Sequence, residues 1–226
     1  YRVAPALGGG KALRSLRTRL ARKGIGLILD YVSNHTARDH AWVKQHPEYY
    51  VHSDPATNGA QITDGFLAQT AAGELMIAYG RDPMFPGWTD TAQLNVNSTS
   101  ARAAMVAQLE EIAEVCDGVR CDMAMLLLAD VFERTWNDRS TRPADDRAEG
   151  EFWREAIGQV TASHPGFMFI AEAYWNREWD LQQLGFNYTY DKTLYDRLLR
   201  EGASAVRDHL KADMVYQSRS LRFLEN

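Results

Sequence analysis

This chain lacks the marks of several broad classes. It has two cysteines, Cys116 and Cys121, among 226 residues, too few for a disulfide framework. Both sit in apolar stretches, so buried free thiols are expected, as in a reducing compartment. No apolar run approaches the roughly 18–20 residues that span a bilayer, which leaves no membrane partner to expect. The net charge is -5, which offers nucleic acid no basic footprint. The chain begins at Tyr1 without a methionine, so the lack of a leader peptide says nothing about secretion. The compartment stays open, and the thiols lean toward the cytoplasm. What remains is an ordinary globular composition, 45% hydrophobic and 24% charged, long enough for one large domain or two small ones.

The pattern along the chain alternates. "GGGKALRSLRTRLARKG" predicts a helix with Leu13, Leu16 and Leu20 on one stripe and Arg14, Arg17 and Arg22 on a solvated face. Its glycines do not make a phosphate loop, because Ala12 stands where Ser or Thr is needed. Gly24 should end the helix, and Ile25 to Asp30 reads as a buried strand. Residues 36–98 lose all sustained period, and a loop that long suggests an inserted subdomain. Regularity returns after Ser98 and Ser100, either of which can cap a helix with Met105, Leu109, Ile112 and Cys116 on one face. A strand over Gly118 to Met123 follows, then a helix with Phe132 and Trp136, and another over Glu151 to Ser163. "FMFIAEAYW" reads as a strand ending in Glu172. Short helices near 191–201 and 203–211 lead to "LRFLEN", a last strand. There is no repeat at a fixed period.

Alternating strands and helices argue for parallel strands covered by helices. The strands end in polar residues: Asp30 with Asn34 and His35 beyond it, Arg120 with Asp122, Glu172, then Glu225 and Asn226. In a (β/α)8 barrel the strand C-termini carry the active site. In "CDGVRCDMAML", Arg120 and Asp122 are two residues apart and share one face of an extended strand. Taken alone, that pair reads as a structural ion pair. Three successive strand ends with acids point instead to a site. An arginine beside Asp122 suits an ionised nucleophile. Glu172, among Phe169, Ile170, Ala171, Tyr174 and Trp175, is expected in apolar surroundings that keep a general acid protonated. Two such carboxylates suit retaining glycoside hydrolysis. Trp88 and Trp175 are candidates to cover a sugar face, or for the core. His40, His46 and His52 have no metal-site spacing and read as loop histidines. The acids Asp138, Asp145, Asp146 and Glu149 read as a solvated turn.

These residues carry a resemblance. "GLILDYVSNHT", "DGVRCDMAM" and "FIAEAYW" resemble the first three signatures of the α-amylase superfamily (glycoside hydrolase family 13), in the family's order, and "RFLEN" resembles the opening of the fourth. The resemblance covers essentially the whole chain. It implies an α/β fold, a partial (β/α)8 TIM barrel of about strands 3 to 7, with domain B inserted after strand 3. The domains would be 1–35 (helix and strand 3), 36–98 (domain B) and 99–226 (strands 4 to 7). The implied function is a retaining glycoside hydrolase on α-linked glucans or oligosaccharides, working through a covalent glycosyl-enzyme. Asp122 would be the nucleophile and Glu172 the acid and base. Arg120 would orient Asp122, Asp30 would support the arginine, and His35 would bind the sugar. Asn34 matches a position that binds structural calcium in many members. No cofactor is needed for the chemistry.

Departures matter too. The family's transition-state-stabilising Asp belongs to the fourth signature, beyond Asn226. "MAMLLL" puts Leu126 where a histidine often stands, and "TAQLN" puts Gln93 in place of an acid that often ligates calcium. Both changes weaken the calcium expectation and argue against a standard starch-liquefying amylase. An α-glucan transglycosylase or phosphorylase on this scaffold remains an alternative, as does a noncatalytic amylase-like protein, although Asp122 and Glu172 are both present. A divalent-metal barrel enzyme is disfavoured because Arg120 would repel the cation. Five strands cannot close an eight-stranded barrel. The isolated 226-residue chain is therefore expected to be inactive and prone to aggregate, and a soluble, active preparation of it alone contradicts this.

Overall fold

The computed structural model describes residues 1–56, 62–136 and 148–223. The chain opens with helix α1 (Gly9–Ala21) and strand β1 (Ile28–Val32). Then come β2 (His35–Ala37), α2 (Ala41–Gln45), β3 (His52–Ser53), β4 (Gly65–Thr70), β5 (Gly73–Ala78) and β6 (Thr91–Gln93). Next are α3 (Thr99–Ala113), β7 (Gly118–Asp122), α4 (Ala129–Trp136), α5 (Phe152–Ser163) and β8 (Met168–Ala171). The last part holds α6 (Glu178–Gln183), β9 (Tyr188–Tyr190), α7 (Lys192–Arg200), α8 (Ala203–His209), α9 (Met214–Ser218) and β10 (Ser220–Leu221).

Packing divides the chain into two units: Tyr1–Tyr31 with Val106–Met125 and Trp153–Asn226, and Val32–Met105 with Leu126–Phe152. The first unit is built on a sheet of order β1-β7-β8-β9-β10. The pairs β7–β8, β8–β9 and β9–β10 are parallel. This is the α/β fold of a partial (β/α)8 barrel, an open sheet whose consecutive parallel strands are joined by helices. The second unit holds two antiparallel sheets, β2-β6 and β3-β5-β4.

The core of the first unit follows from the sequence pattern. Leu109, Ile112 and Cys116 are buried here, and Met105, the fourth residue expected on that face of the 98–116 helix, is buried too, although it counts with the second unit. Val119 and Cys121 of β7 and Phe169 and Ala171 of β8 are also buried. Both cysteines are free thiols, and burial pushes both thiols up in pKa. Trp153 is fully buried against Phe186, and its indole N–H donates to the Ala124 carbonyl at 2.8 Å. Gly118 is where β7 meets its neighbours most closely. A Cβ there would come within 2.5 Å of the Met168 carbonyl oxygen and 2.8 Å of Ile28 Cδ1. In the second unit, Ser98 Oγ accepts from Ala101 N–H at 3.3 Å, so Ser98 is the helix cap.

Several sequence expectations shift. The first strand begins at Ile28, not Ile25, and continues past Asp30 to Val32. Gly24 turns the chain after α1 at φ +69°, with its N–H on the Ala21 carbonyl. The leucine stripe of α1 is not buried, and Leu16 is 37% exposed. An arginine fixes this helix instead. Arg17, expected in solvent, donates to Asp117 Oδ1 through Nε at 3.0 Å and Nη2 at 2.8 Å. The Leu27 backbone N–H, 2.7 Å from Oδ2, and then Arg17 hold the Asp117 carboxyl below its ordinary pKa. An ion pair at the start of β7 thus does the work expected of leucines. The last strand is Ser220–Leu221, earlier than "LRFLEN" suggested. Glu225 and Asn226 lie outside the described residues, as do Asp138, Asp145 and Asp146. The strand β9 and helices α6 and α9 went unread, because each is too short to show a period.

Trp153→Ala should cost about 3–5 kcal/mol, the usual loss for a fully buried large aromatic. Denaturant unfolding of the variant against wild type checks it.

Candidate active site

Register builds the site in the first unit. Strands β7 and β8 pair Arg120 with Ile170 and Cys121 with Ala171. The next step in the same register sets Asp122 beside Glu172. Backbone bonds run to this point: Glu172 N–H donates to the Cys121 carbonyl at 3.0 Å, and Ala124 N–H to the Glu172 carbonyl at 3.1 Å. On the far side of β8, β9 ends in Tyr190. The three strands therefore deliver Asp122, Glu172 and Tyr190 at their C-terminal ends.

Arg120 binds them together. Its Nη1 lies 2.8 Å from Asp122 Oδ1 and 2.9 Å from Asp30 Oδ1. Its Nη2 lies 3.0 Å from Glu172 Oε2. Its Nε–H donates to the Tyr190 hydroxyl oxygen at 3.3 Å. Burial works against the arginine's charge, but the bonds to Tyr190 and Asp122, the Glu172 charge and the Asp30 bond outweigh it and push its pKa still higher. Asp30 is the open member, with 61% of its side chain exposed against 10% for Glu172.

Glu172 does not sit in the apolar surroundings expected of it. Its Oε1 accepts from the Tyr174 hydroxyl at 2.6 Å, and its Oε2 from the Met123 backbone N–H at 2.7 Å as well as from Arg120. Met123 turns its N–H there from a left-handed backbone, φ +45°. A non-glycine residue in that region is strained, and strain of this kind gathers at functional sites. Beyond Tyr174, Trp175 and Asn176 are also left-handed, at φ +61° and +58°. Trp175 is 37% exposed, a surface ring and not a core one.

Asn34 and His35 belong to the second unit. The His35 ring lies 5.2 Å from the Trp88 ring. Burial lowers the His35 pKa from 6.5, and Asp90 opposes this. Asn34 is buried and makes a two-way amide pair with Gln93. Asn34 Nδ2 donates to Gln93 Oε1 at 3.2 Å, and Gln93 Nε2 donates back to Asn34 Oδ1 at 2.9 Å.

This set does not fit calcium. Ca2+ takes about six to eight oxygens, several from carboxylates, at about 2.3–2.6 Å. Here Asn34 Oδ1, the Asn34 carbonyl and the Leu94 carbonyl all face the Gln93 amide nitrogen, at 2.9, 2.9 and 3.0 Å. Among the described residues, no group of three His, Cys, Asp or Glu is arranged to hold a metal. The three loop histidines have local partners: His40 caps α2, His46 stacks on Tyr49, and His52 bonds the Tyr50 carbonyl. No helix among the described residues is long and apolar enough to cross a membrane.

Sequence reasoning took Tyr174 only as an apolar neighbour of Glu172, and missed Tyr190 and the Met123 N–H. Tyr174 was within reach of it, since it stands two residues after Glu172 and shares its face in extended chain. The other two depend on a short strand and a turn that leave no periodic signal.

Carboxylates and an arginine gathered at the C-terminal ends of parallel strands occupy the face where (β/α)8-barrel domains carry their sites. The chain belongs to the family described as Alpha amylase, catalytic domain, which matches residues 1–194. Comparison with curated proteins gives no match. Solved structures share the fold. The alpha-amylase of H. orenii superposes with a TM-score of 0.68 at 18% identity, over 100% of this chain and 47% of that one. That of Lactobacillus plantarum gives 0.56 at 22%, over 89% of this chain and 42% of that one. That of Geobacillus thermoleovorans, complexed with acarbose, gives 0.62 at 17%, over 100% of this chain and 46% of that one. The chain thus spans less than half the length of each.

Because its pKa is lowered, His35 resists protonation in the fold. It lowers no stability above pH 6.5 and an increasing amount as the pH falls from there through the depressed value. An NMR titration should give His35 a midpoint below 6.5. A midpoint at or above that value contradicts the burial argument.

Proposed function

We propose that the protein is a retaining glycoside hydrolase acting on α-linked glucans or oligosaccharides. The observation that carries this reading is the single guanidinium of Arg120 holding Asp122 and Glu172 at adjacent strand ends. Membership of the α-amylase family supports it, and the acarbose complex of the Geobacillus enzyme fits a carbohydrate ligand.

Two displacements follow from these groups. An Asp122 oxygen attacks the anomeric carbon, and the glycosidic C–O bond breaks. Glu172 gives its proton to the leaving oxygen. The sugar is then held as an ester of Asp122. In the second step Glu172 takes a proton from water, whose oxygen attacks the same carbon and frees Asp122. Two inversions restore the original anomeric configuration. Arg120 acts by orientation, because it fixes Oδ1 of the nucleophile while Asp30 braces the guanidinium. His35 bonds a sugar hydroxyl as a neutral imidazole, in keeping with its lowered pKa. Residues 36–98 act as domain B and contribute His35's neighbour Trp88. The nucleophile and the acid and base come from this chain, the stabilising carboxylate expected of the fourth signature would come from beyond Asn226, and the chemistry needs no cofactor.

Glu172 is the residue whose surroundings bear most on this reading. Its two oxygens are fixed by Tyr174 and by Met123 N–H, so the carboxyl keeps one orientation through both proton transfers. A cavity bordered by Tyr174, Trp175, Asn176, Lys192 and Thr193 lies directly beyond Tyr174.

In the full-length enzyme, Asp122→Asn and Glu172→Gln should each lower kcat by about 1,000-fold or more on a maltooligosaccharide. Product NMR should show the α-anomer first. Wild-type rates in either variant, or an initial β-anomer, contradict the assignment. Products longer than the substrate identify a transglycosylase, and sugar phosphate formed with inorganic phosphate identifies a phosphorylase.

A further inference from the structure

We propose that Gln93 is a built-in substitute for a cation: its side-chain amide organises the oxygens beside His35 and makes this part of the protein independent of calcium. The geometry is specific. Gln93 is 1% exposed and Asn34 is 2% exposed. The Gln93 nitrogen donates to Asn34 Oδ1, the Asn34 carbonyl and the Leu94 carbonyl, at 2.9, 2.9 and 3.0 Å. Backbone carbonyls only accept, so the nitrogen of this amide, and not its oxygen, must face them. Two N–H bonds serve three acceptors, one of them shared. The three oxygens lie at hydrogen-bond distance from that nitrogen, which is longer than metal–oxygen bonds to calcium.

The amide's other end completes the arrangement. Gln93 Oε1 accepts from Asn34 Nδ2, which also stands 3.5 Å from His35 Nδ1. In the β2–β6 pairing, Gln93 lies directly opposite His35. One neutral side chain therefore ties the loop after β1 to β6 and sets the Asn34 amide beside the imidazole. An ion would do this by attracting oxygens. An amide does it by donating hydrogen bonds, and it brings no net charge that must be compensated in a buried place. A carboxylate here would have no proton to offer these oxygens and would need a cation between them. Gln93 is thus a positioning residue for Asn34 and His35. This inference rests on the packing around Gln93 and stands whether or not the hydrolase reading holds.

The test reads the amide directly in the full-length, 15N-labelled protein. The Gln93 side-chain N–H2 resonance, assigned through its nuclear Overhauser contacts, should exchange slowly with solvent. It should stay in place when chelator is exchanged for millimolar calcium. Thermal unfolding supplies the second arm. Gln93→Glu should unfold about 5 °C or more below wild type in chelator and regain much of that loss with calcium, which would bridge the new carboxylate and the same oxygens. The proposal is overturned if the wild-type resonance moves when calcium is withdrawn. It is equally overturned if Gln93→Glu is as stable as wild type in chelator. Should Gln93→Glu not fold, the wild-type resonance decides alone.

Discussion

The arrangement of the first unit depends on one cation. Arg120 sits two residues before Asp122 on β7 and reaches carboxylates from β1, from its own strand and from the end of β8. Three acids drawn together without it would repel one another in a half-buried place, where water screens charge poorly. With it, each has a partner, and Tyr190 supplies a further acceptor from β9. The guanidinium suits this role because its donors spread in a plane and never lose their charge. Lysine has a point charge and could not face four oxygens on separate strands in fixed directions.

That convergence in turn depends on register. Cross-strand pairing of β7 with β8 aligns Asp122 with Glu172 only because no residue slips between Gly118 and Cys121. Gly118 lets the strands approach at the start of this run. Beyond its end, the left-handed turn at Met123 delivers a backbone N–H to Glu172. Trp153 then secures the following carbonyl from the core side. The site is therefore braced from behind by packing and from in front by charge, and the strain at Met123 is held by both.

The second unit solves a similar problem with neutral groups. Buried carbonyls after β1 and after β6 need donors, and the Gln93 amide donates to both. The contrast with Arg120 is instructive. Where acids crowd, a fixed cation is required, and where only carbonyls and amides meet, an amide is enough.

Some of this was legible in the residues. The spacing of Arg120 and Asp122 dictates a shared face in any extended strand. The apolar runs around Val119 and Phe169 dictate buried strands. The stripe from Met105 to Cys116 dictates a helix with one inward face. These are local consequences of backbone period, and the structure keeps them. The same kind of reasoning failed for α1, where the leucines stay uncovered and Arg17 makes the anchoring bond to Asp117, a partner 100 residues away. It failed again for Glu172, whose carboxyl meets a hydroxyl, a backbone amide and a guanidinium. The sequence by itself determined which charged residues end the strands and which face of each strand they occupy, because both are set by identity and period. Only the tertiary structure decided their partners: Tyr190 for Arg120, Met123 N–H for Glu172, Gln93 for Asn34. Those bonds join segments far apart in the chain, and nothing in a local pattern encodes the distance between them.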